Sequence, residues 1–166
     1  MGARGVRKIE RPEDLIPAFR EAKEASISGK LVIEEFMEGP ELSLDALVCK
    51  EDIHITGVAD RIIERSPYFV EVGHTLPSNL PKQQIEQTIE VFKQAIRALG
   101  IDTGAAKGDI KFTSDGPKIV EIAARLSGGW MSAYTYPLSS GVNLYKAAIQ
   151  VALGESPDGL KPKTTL

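Results

Sequence analysis

The sequence predicts an α+β fold in which helices pack against an antiparallel sheet. Residues 108–129 consist of two apolar runs joined by a turn, which is the pattern of an antiparallel hairpin. Residues 81–99 carry apolar side chains at helical spacing and end before Gly100. A further amphipathic helix is predicted over 142–153, so the hairpin lies between two helices along the chain.

The remaining elements follow from local signals in chain order. A short strand is predicted over 6–10, followed by a helix that begins at 11–14, where proline and acidic residues suit the first turn, and ends at Gly29. The stretch 66–81 contains four prolines and glycines and predicts an irregular loop. Apolar runs predict three further strands, over 31–36, 42–48 and 53–63.

Composition limits the classes of function. The 166 residues have the size of one domain with room for a hydrophobic core. A net charge of −3 with scattered basic residues argues against a nucleic-acid partner. No apolar run reaches membrane-spanning length and no signal peptide opens the chain, so we expect no membrane partner and a cytoplasmic location. The single cysteine, Cys49, excludes an internal disulfide.

The hairpin carries two carboxylates at matched depth. Ser114-Asp115-Gly116 suits a three-residue loop with Gly116 in the left-handed conformation, which places Thr113 opposite Pro117. That register sets Asp109 directly opposite Glu121, with Cβ atoms roughly 5 Å apart.

Two like charges at this separation repel, and a divalent cation between them removes the penalty. Few, hard oxygen ligands suit Mg²⁺, which completes its shell with phosphate oxygens. Arg125 shares the face of Glu121 and is suited to a phosphate or a carboxylate. The alternative is a solvent-exposed hairpin face without a ligand. A two-residue loop would favour that alternative, because it would turn Asp109 and Glu121 to opposite faces.

Three groups of residues resemble motifs of the ATP-grasp superfamily, in the branch of carbamoyl-phosphate synthase and the carboxylate–amine ligases. The stretch from Asp109 to Gly129 resembles the closing motif, and Glu34 to Glu41 resembles the adenine hinge and ribose contact. Gly2 to Val6 resembles the end of the glycine-rich phosphate loop. The motifs occur in the order of the family.

The resemblance implies an ATP- and Mg²⁺-dependent ligase, with Mn²⁺ as an alternative ion. In such enzymes ATP phosphorylates a carboxylate to an acyl phosphate, from which an amine or a thiol displaces phosphate. The implied partners are therefore small-molecule carboxylate and amine substrates. Asp109 and Glu121 would be the metal ligands, and Arg125 the catalytic contact to the transferred phosphate. The implied nucleotide-binding residues are Glu34, Glu35, Phe36, Met37, Glu41 and Lys111.

The sequence departs from the family pattern in several places. Ala123 stands where the family usually has an asparagine ligand, which puts a second Mg²⁺ in doubt. Asp109 is shorter than the usual glutamate, and Lys107 stands where many members have histidine. The phosphate-binding lysines of the family lie upstream of the glycine-rich loop.

We therefore expect an ATP-grasp-like fold truncated on its N-terminal side, whose missing N-terminal part would be a partner. Residues 1–36 would be the remnant of the smaller nucleotide-clamping subdomain, 37–155 the larger metal and acceptor subdomain, and 156–166 a tail. The isolated chain is expected to be inactive. The alternatives are a non-catalytic ATP-grasp-like module for binding or assembly, and an ordinary α+β interaction domain.

Overall fold

A computed structural model describes residues 3–50 and 52–161. Gly2 of the predicted phosphate loop, Glu51 of a predicted turn and residues 162–166 of the predicted tail lie outside the described residues. The chain forms two compact units, Met1–Met37 with Ile62–Gly73 and Glu38–Arg61 with His74–Leu166. The helices are α1 (Leu15–Ala25), α2 (Lys82–Ala98), α3 (Tyr136–Ser140) and α4 (Leu144–Ala152), with a 3₁₀ turn at Pro12–Asp14 and a π-helical turn at Met131–Thr135.

Five strands form one sheet, in the spatial order β3-β2-β1-β4-β5. They are β1 (Glu41–Cys49), β2 (Asp52–Glu64), β3 (Val70–Thr75), β4 (Gly104–Thr113) and β5 (Gly116–Ala123). The pairs β1–β2, β1–β4 and β4–β5 are antiparallel, which confirms the predicted α+β class. No helix of the described residues is long and apolar enough to cross a membrane.

The central strand β1 carries apolar side chains on one face and polar side chains on the other. Leu42 and Leu44 are fully buried on the apolar face, where α2 packs with Phe92 and Ile96. The predicted stripe of α2 therefore covers this face, although Leu99 at its end is exposed. Close packing of α2 requires a glycine at 108, because a Cβ atom there would lie 2.6 Å from the ring of Phe92.

A second apolar cluster covers part of the opposite face. Tyr136 lies at its centre, fully buried, with Leu47, Val142 and Leu144 around it. The Tyr136 ring lies against the backbone of Gly57, and its hydroxyl donates to the carbonyl of Ser43 at 3.0 Å. The segment from the π-helical turn to α4 is thereby fixed to β1 and β2.

The first unit contains α1 and the segment that resembles the adenine hinge. Phe36 stacks on Phe69 with ring centroids 5.7 Å apart, and the ammonium of Lys8 lies 4.4 Å from the Phe36 centroid. Gly5 packs so closely on α1 that a Cβ atom would lie 2.8 Å from that of Ala25. Cation–π and aromatic contacts thus hold the loop segments of this unit together.

Three local predictions are wrong. Residues 6–10 and 31–36 form no strand, and Val32 and Ile33 are 80% and 78% exposed. An apolar run becomes a strand only where a neighbour pairs with its backbone, and neither segment belongs to the sheet. The predicted loop 66–81 contains β3, where the alternating Val-Glu-Val run forms a strand despite the prolines on either side.

We predict that Gly57→Ala lowers the free energy of unfolding by about 2 kcal/mol, the usual cost of forcing extra atoms into a packed core. The added Cβ would lie 1.9 Å from Cδ1 of Tyr136. Gly128→Ala is the matched control, because its Cβ would meet nothing within 4 Å. Urea denaturation of the three proteins measures the difference, and equal losses in both variants would contradict the packing of Tyr136 on Gly57.

Candidate functional site

The sheet face that packs against the Tyr136 cluster also carries a group of charged side chains. On β1, Glu41, Ser43 and Asp45 alternate with the buried leucines. Their neighbours on β4 are Lys111, Asp109 and Lys107 respectively. Strand β2 adds Arg61, which is paired with Glu41. Strand alternation thus brings these residues to one face.

Asp109 is a deeply buried carboxylate of this group, with a side chain only 7% exposed. Its Oδ2 atom accepts a hydrogen bond from the Lys107 ammonium and lies 3.0 Å from Nη1 of Arg61. Its Oδ1 atom is buried and has no hydrogen-bond partner. Leaving a charged oxygen buried without a partner is costly, so Oδ1 marks a position where a ligand would be stabilising.

Arg61 links Asp109 to Glu41 within this group of charged side chains. Arg61 donates to Oε1 of Glu41 and also contacts Asp109, so one guanidinium serves two carboxylates. The Lys111 ammonium lies 3.9 Å from the other Glu41 oxygen. All three of these side chains are about 15% exposed, which reduces screening by water.

The hairpin pairs Asp109 with Glu121, although the predicted turn is wrong. Thr113 pairs with Gly116 and not with Pro117, so the loop has two residues and not three. A bulge between Asp109 and the next residue then inserts one extra residue in β5, and the register beyond it sets Asp109 opposite Glu121. Bulges commonly re-aim side chains beside functional sites.

The extra residue is Val120, since Ile110 pairs with Ile119. Neither the predicted three-residue loop nor the alternative of carboxylates on opposite faces describes the hairpin. Both predictions assumed uninterrupted pairing of β4 with β5, and this bulge interrupts it.

Glu121 and Arg125 lie at the exposed side of the cluster. Their side chains are 54% and 53% exposed, and Nη2 of Arg125 lies 3.6 Å from Oε1 of Glu121. Arg125 also donates to the carbonyl of Leu126 at 3.1 Å. An exposed ion pair of this kind contributes little to stability, so both side chains are available to a ligand at small cost.

The other predicted nucleotide-binding residues belong to the first unit. Glu34, Glu35, Phe36 and Met37 lie in a segment without regular structure, between α1 and β1. Phe36 makes the stacking and cation–π contacts described above. Their assignment to adenine stays a prediction.

Sequence analysis missed Asp45, a fully buried carboxylate on the same face. It accepts hydrogen bonds from both the backbone and the hydroxyl of Ser127 and from the hydroxyl of Ser132. Asp45 therefore ties the loop that follows β5 to the middle of β1. The signal was present, since an aspartate inside the apolar run 42–48 needs buried partners.

The donor set fits a Mg²⁺ ion that is bound partly through phosphate. Among the described residues, no group of three or more His, Cys, Asp or Glu side chains is arranged to hold a metal ion. Mg²⁺ in phosphate sites is commonly held by only one or two carboxylates, with phosphate oxygens and water as the remaining ligands. The unpartnered Oδ1 of Asp109 with Glu121 opposite provides such a pair.

Comparison with known proteins assigns the family. Residues 1–134 match the family described as an ATP-grasp domain. The chain belongs to the ATP-grasp family. Carnosine synthase 1 of Gallus gallus is 30% identical over 131 residues, covering 76% of this chain and 14% of that protein. The carbamoyl phosphate synthase large chain of Thermoanaerobacter sp. (strain X514) is 25% identical over 174 residues, covering 99% of this chain and 16% of that protein.

A solved structure gives the same fold. The biotin carboxylase domain of Hydrogenobacter thermophilus 2-oxoglutarate carboxylase, solved with MgADP, ADP and bicarbonate, has a TM-score of 0.78 at 22% identity. The likeness covers 96% of this chain and 36% of that chain. The ATP-grasp chain described here thus spans a minor part of each of these proteins.

We predict a pH dependence of stability from Asp45 of this ATP-grasp chain. Burial raises its pKa, outweighing the opposing effects of the serine hydrogen bonds and of Lys107. The folded chain then holds the proton more tightly than the unfolded chain. The stability contributed by the carboxyl is therefore fully present below its ordinary pKa of 3.8 and is lost as the pH rises through the raised value.

Urea unfolding of the wild type and of Asp45→Asn, at a series of pH values from below 3.8 upward, measures the effect. The stability of the wild type relative to the variant should fall as the pH rises, by about 1.4 kcal/mol for each unit by which the pKa is raised. Asp158→Asn, an exposed aspartate paired with Lys146, serves as the control and should show no such fall. A relative stability that rises with pH would contradict the prediction.

Proposed function

We propose that this chain is the metal- and phosphate-binding part of an ATP-dependent ligase that joins a carboxylate to an amine or a thiol. The observation that carries the proposal is Asp109, a buried carboxylate with one oxygen held by two cations and the other without a partner. Its position opposite Glu121 supports a shared divalent ion. Membership of the ATP-grasp family supports ATP as the phosphoryl donor.

The proposed reaction has two steps. The γ-phosphoryl group of ATP passes to a carboxylate oxygen of the substrate, which releases ADP and gives an acyl phosphate. An amine or a thiol then attacks the acyl carbon and loses a proton, and inorganic phosphate leaves. Such phosphoryl transfer depends on positioning and charge neutralisation more than on covalent chemistry by the protein.

Asp109 and Glu121 would hold the Mg²⁺, with Mn²⁺ as an alternative ion. The ion would neutralise phosphate charge and orient the phosphates when it is bound. Arg125 is suited to the transferred phosphate, because it is exposed and paired only weakly with Glu121. Lys111 would add a positive charge beside the nucleotide.

Glu41 would accept hydrogen bonds from the ribose hydroxyls, and Glu34 to Met37 would hold the adenine. The ion pairs of Glu41 with Arg61 and Lys111 are compatible with this role, because an ionised carboxylate has about four acceptor sites. Phe36 would present an aromatic ring to the base.

The relatives are several times longer than this chain. We therefore propose the complete ligase reaction for a longer protein that contains these residues, and weak nucleotide binding with little or no turnover for the chain by itself. Its subdivision into residues 1–36, 37–155 and 156–166, and its cytoplasmic location, stay proposals of the same kind.

A non-catalytic ATP-grasp module is the second candidate. Ala123 favours it, because a methyl group stands on β5 where the family usually has a metal ligand. This candidate predicts nucleotide binding without turnover. ATP hydrolysis that depends on both a carboxylate and an amine would exclude it.

We predict that Glu121→Ala lowers the Mg²⁺-dependent affinity for a non-hydrolysable ATP analogue at least tenfold, about 1.4 kcal/mol of binding free energy. The loss follows from removing one of two carboxylates that hold the ion. Calorimetric titration with and without Mg²⁺ measures it. Asp115→Ala, at the exposed tip of the same hairpin, should bind like the wild type. Equal affinity of the wild type with and without Mg²⁺ would exclude the proposed metal site.

A further inference from the structure

Lys107 lies at the centre of the polar face, between three strands. It is paired with Asp45 on β1 and with Ala123 on β5, and its side chain is only 12% exposed. Its ammonium donates a hydrogen bond to Oδ2 of Asp109, two residues further along β4. The hydrogen bond to a buried carboxylate fixes the position of this ammonium inside the site.

The hydrogen bond from Lys107 makes the two carboxylate oxygens of Asp109 unequal. Oδ2 is occupied by the ammonium and by Arg61, whereas Oδ1 has no partner. A carboxylate that gives each of two metal ions an oxygen of its own needs both oxygens. Asp109 has one oxygen to offer, so it can serve one ion without breaking a buried ion pair.

Beside Lys107, the neighbouring strand offers no metal ligand. Ala123 lies directly opposite Lys107 and presents only a methyl group. Glu121 is then the carboxylate on β5 that can join Asp109 at an ion. Among residues 3–50 and 52–161 no group of three or more His, Cys, Asp or Glu side chains is arranged to hold a metal ion.

We propose that Lys107 is a built-in substitute for a second divalent cation, so that this face takes a nucleoside triphosphate together with a single divalent ion. The inference rests on the proposed function, since it concerns the same site. The ammonium supplies one fixed charge beside Asp109, and the ion at Oδ1 and Glu121 supplies the other. The site is thus specific for a nucleoside triphosphate that carries one divalent ion.

The test counts bound Mn²⁺, which is measured by electron paramagnetic resonance of the free ion without reference to activity. The titration uses the 166-residue chain saturated with a non-hydrolysable ATP analogue. The wild type should bind one Mn²⁺ per chain. Lys107→Gln/Ala123→Asn removes the charge, keeps a hydrogen-bond donor for Asp109 and adds an oxygen ligand opposite, so it should bind two.

Lys118→Gln is the matched control and should leave the count at one, because Lys118 lies on β5 of the same hairpin and donates a hydrogen bond to Asp115 at 3.3 Å. Thermal unfolding checks that each variant is folded. If the double variant fails to fold, the wild-type count is compared with that of Lys107→Gln alone; a wild-type count of two, or one ion in both, overturns the role of Lys107.

The outcomes separate the inference from the proposed function. Two ions in the wild type, or one ion in both the wild type and the folded double variant, would overturn the role of Lys107 and leave the metal site intact. Absence of binding in the wild type, or an unchanged count in Asp109→Asn, would overturn the metal site itself and with it the proposed function.

Discussion

The burial of acidic side chains on one face of the sheet constrains everything around the site. Glu41, Asp45 and Asp109 occupy that face, and each would be costly to bury alone. Each of these carboxylates is stabilised by a different set of partners. Asp45 is held by serine hydroxyls, Glu41 by Arg61, and Asp109 by Lys107 with the same Arg61. Because Arg61 serves both Glu41 and Asp109, these two carboxylates belong to one ion-pair network, and we expect a change at one to affect the other.

The same face is divided into a covered half and an open half. Tyr136 and the π-helical turn cover the middle of β1. There Asp45 accepts hydrogen bonds from Ser132 of the turn and from Ser127 of the loop after β5. Toward the start of β1, the charged cluster is left at the surface of its unit, with Glu121 and Arg125 exposed. The covered half is rigid because its polar atoms are paired and its rings are packed. It therefore gives the open half a fixed backbone on which ligands can be bound without reorganisation.

The sequence allowed the apolar pattern to be predicted better than the polar contacts. The stripe of α2 and the strands β1 and β2 follow from periodicity, which local residues determine. The pairing of Asp109 with Glu121 was predicted through a turn that is wrong, and a bulge at Val120 that no residue type signals restores it. Arg61 was missed because its role depends on three strands at once. The run 31–36 was taken for a strand because an apolar pattern carries no information about whether a pairing partner is present.

The arrangement of charge bears on the proposed role of Lys107. Glu41, Asp109 and Glu121 are contacted by four cationic side chains, Arg61, Lys107, Lys111 and Arg125, whereas Asp45 is held by serines. A triphosphate that approaches this face meets positive charge that is already in place and costs no further ordering. Two captured ions would supply more charge, but each must first be bound from solution and partly dehydrated. Replacing one ion by a buried ammonium would lower the total positive charge, and the charge of the ammonium would not depend on metal concentration. On this proposal, affinity for the nucleotide would depend on the divalent metal concentration to the first power, and Asp109 would be the residue at which the fixed and the captured cation meet.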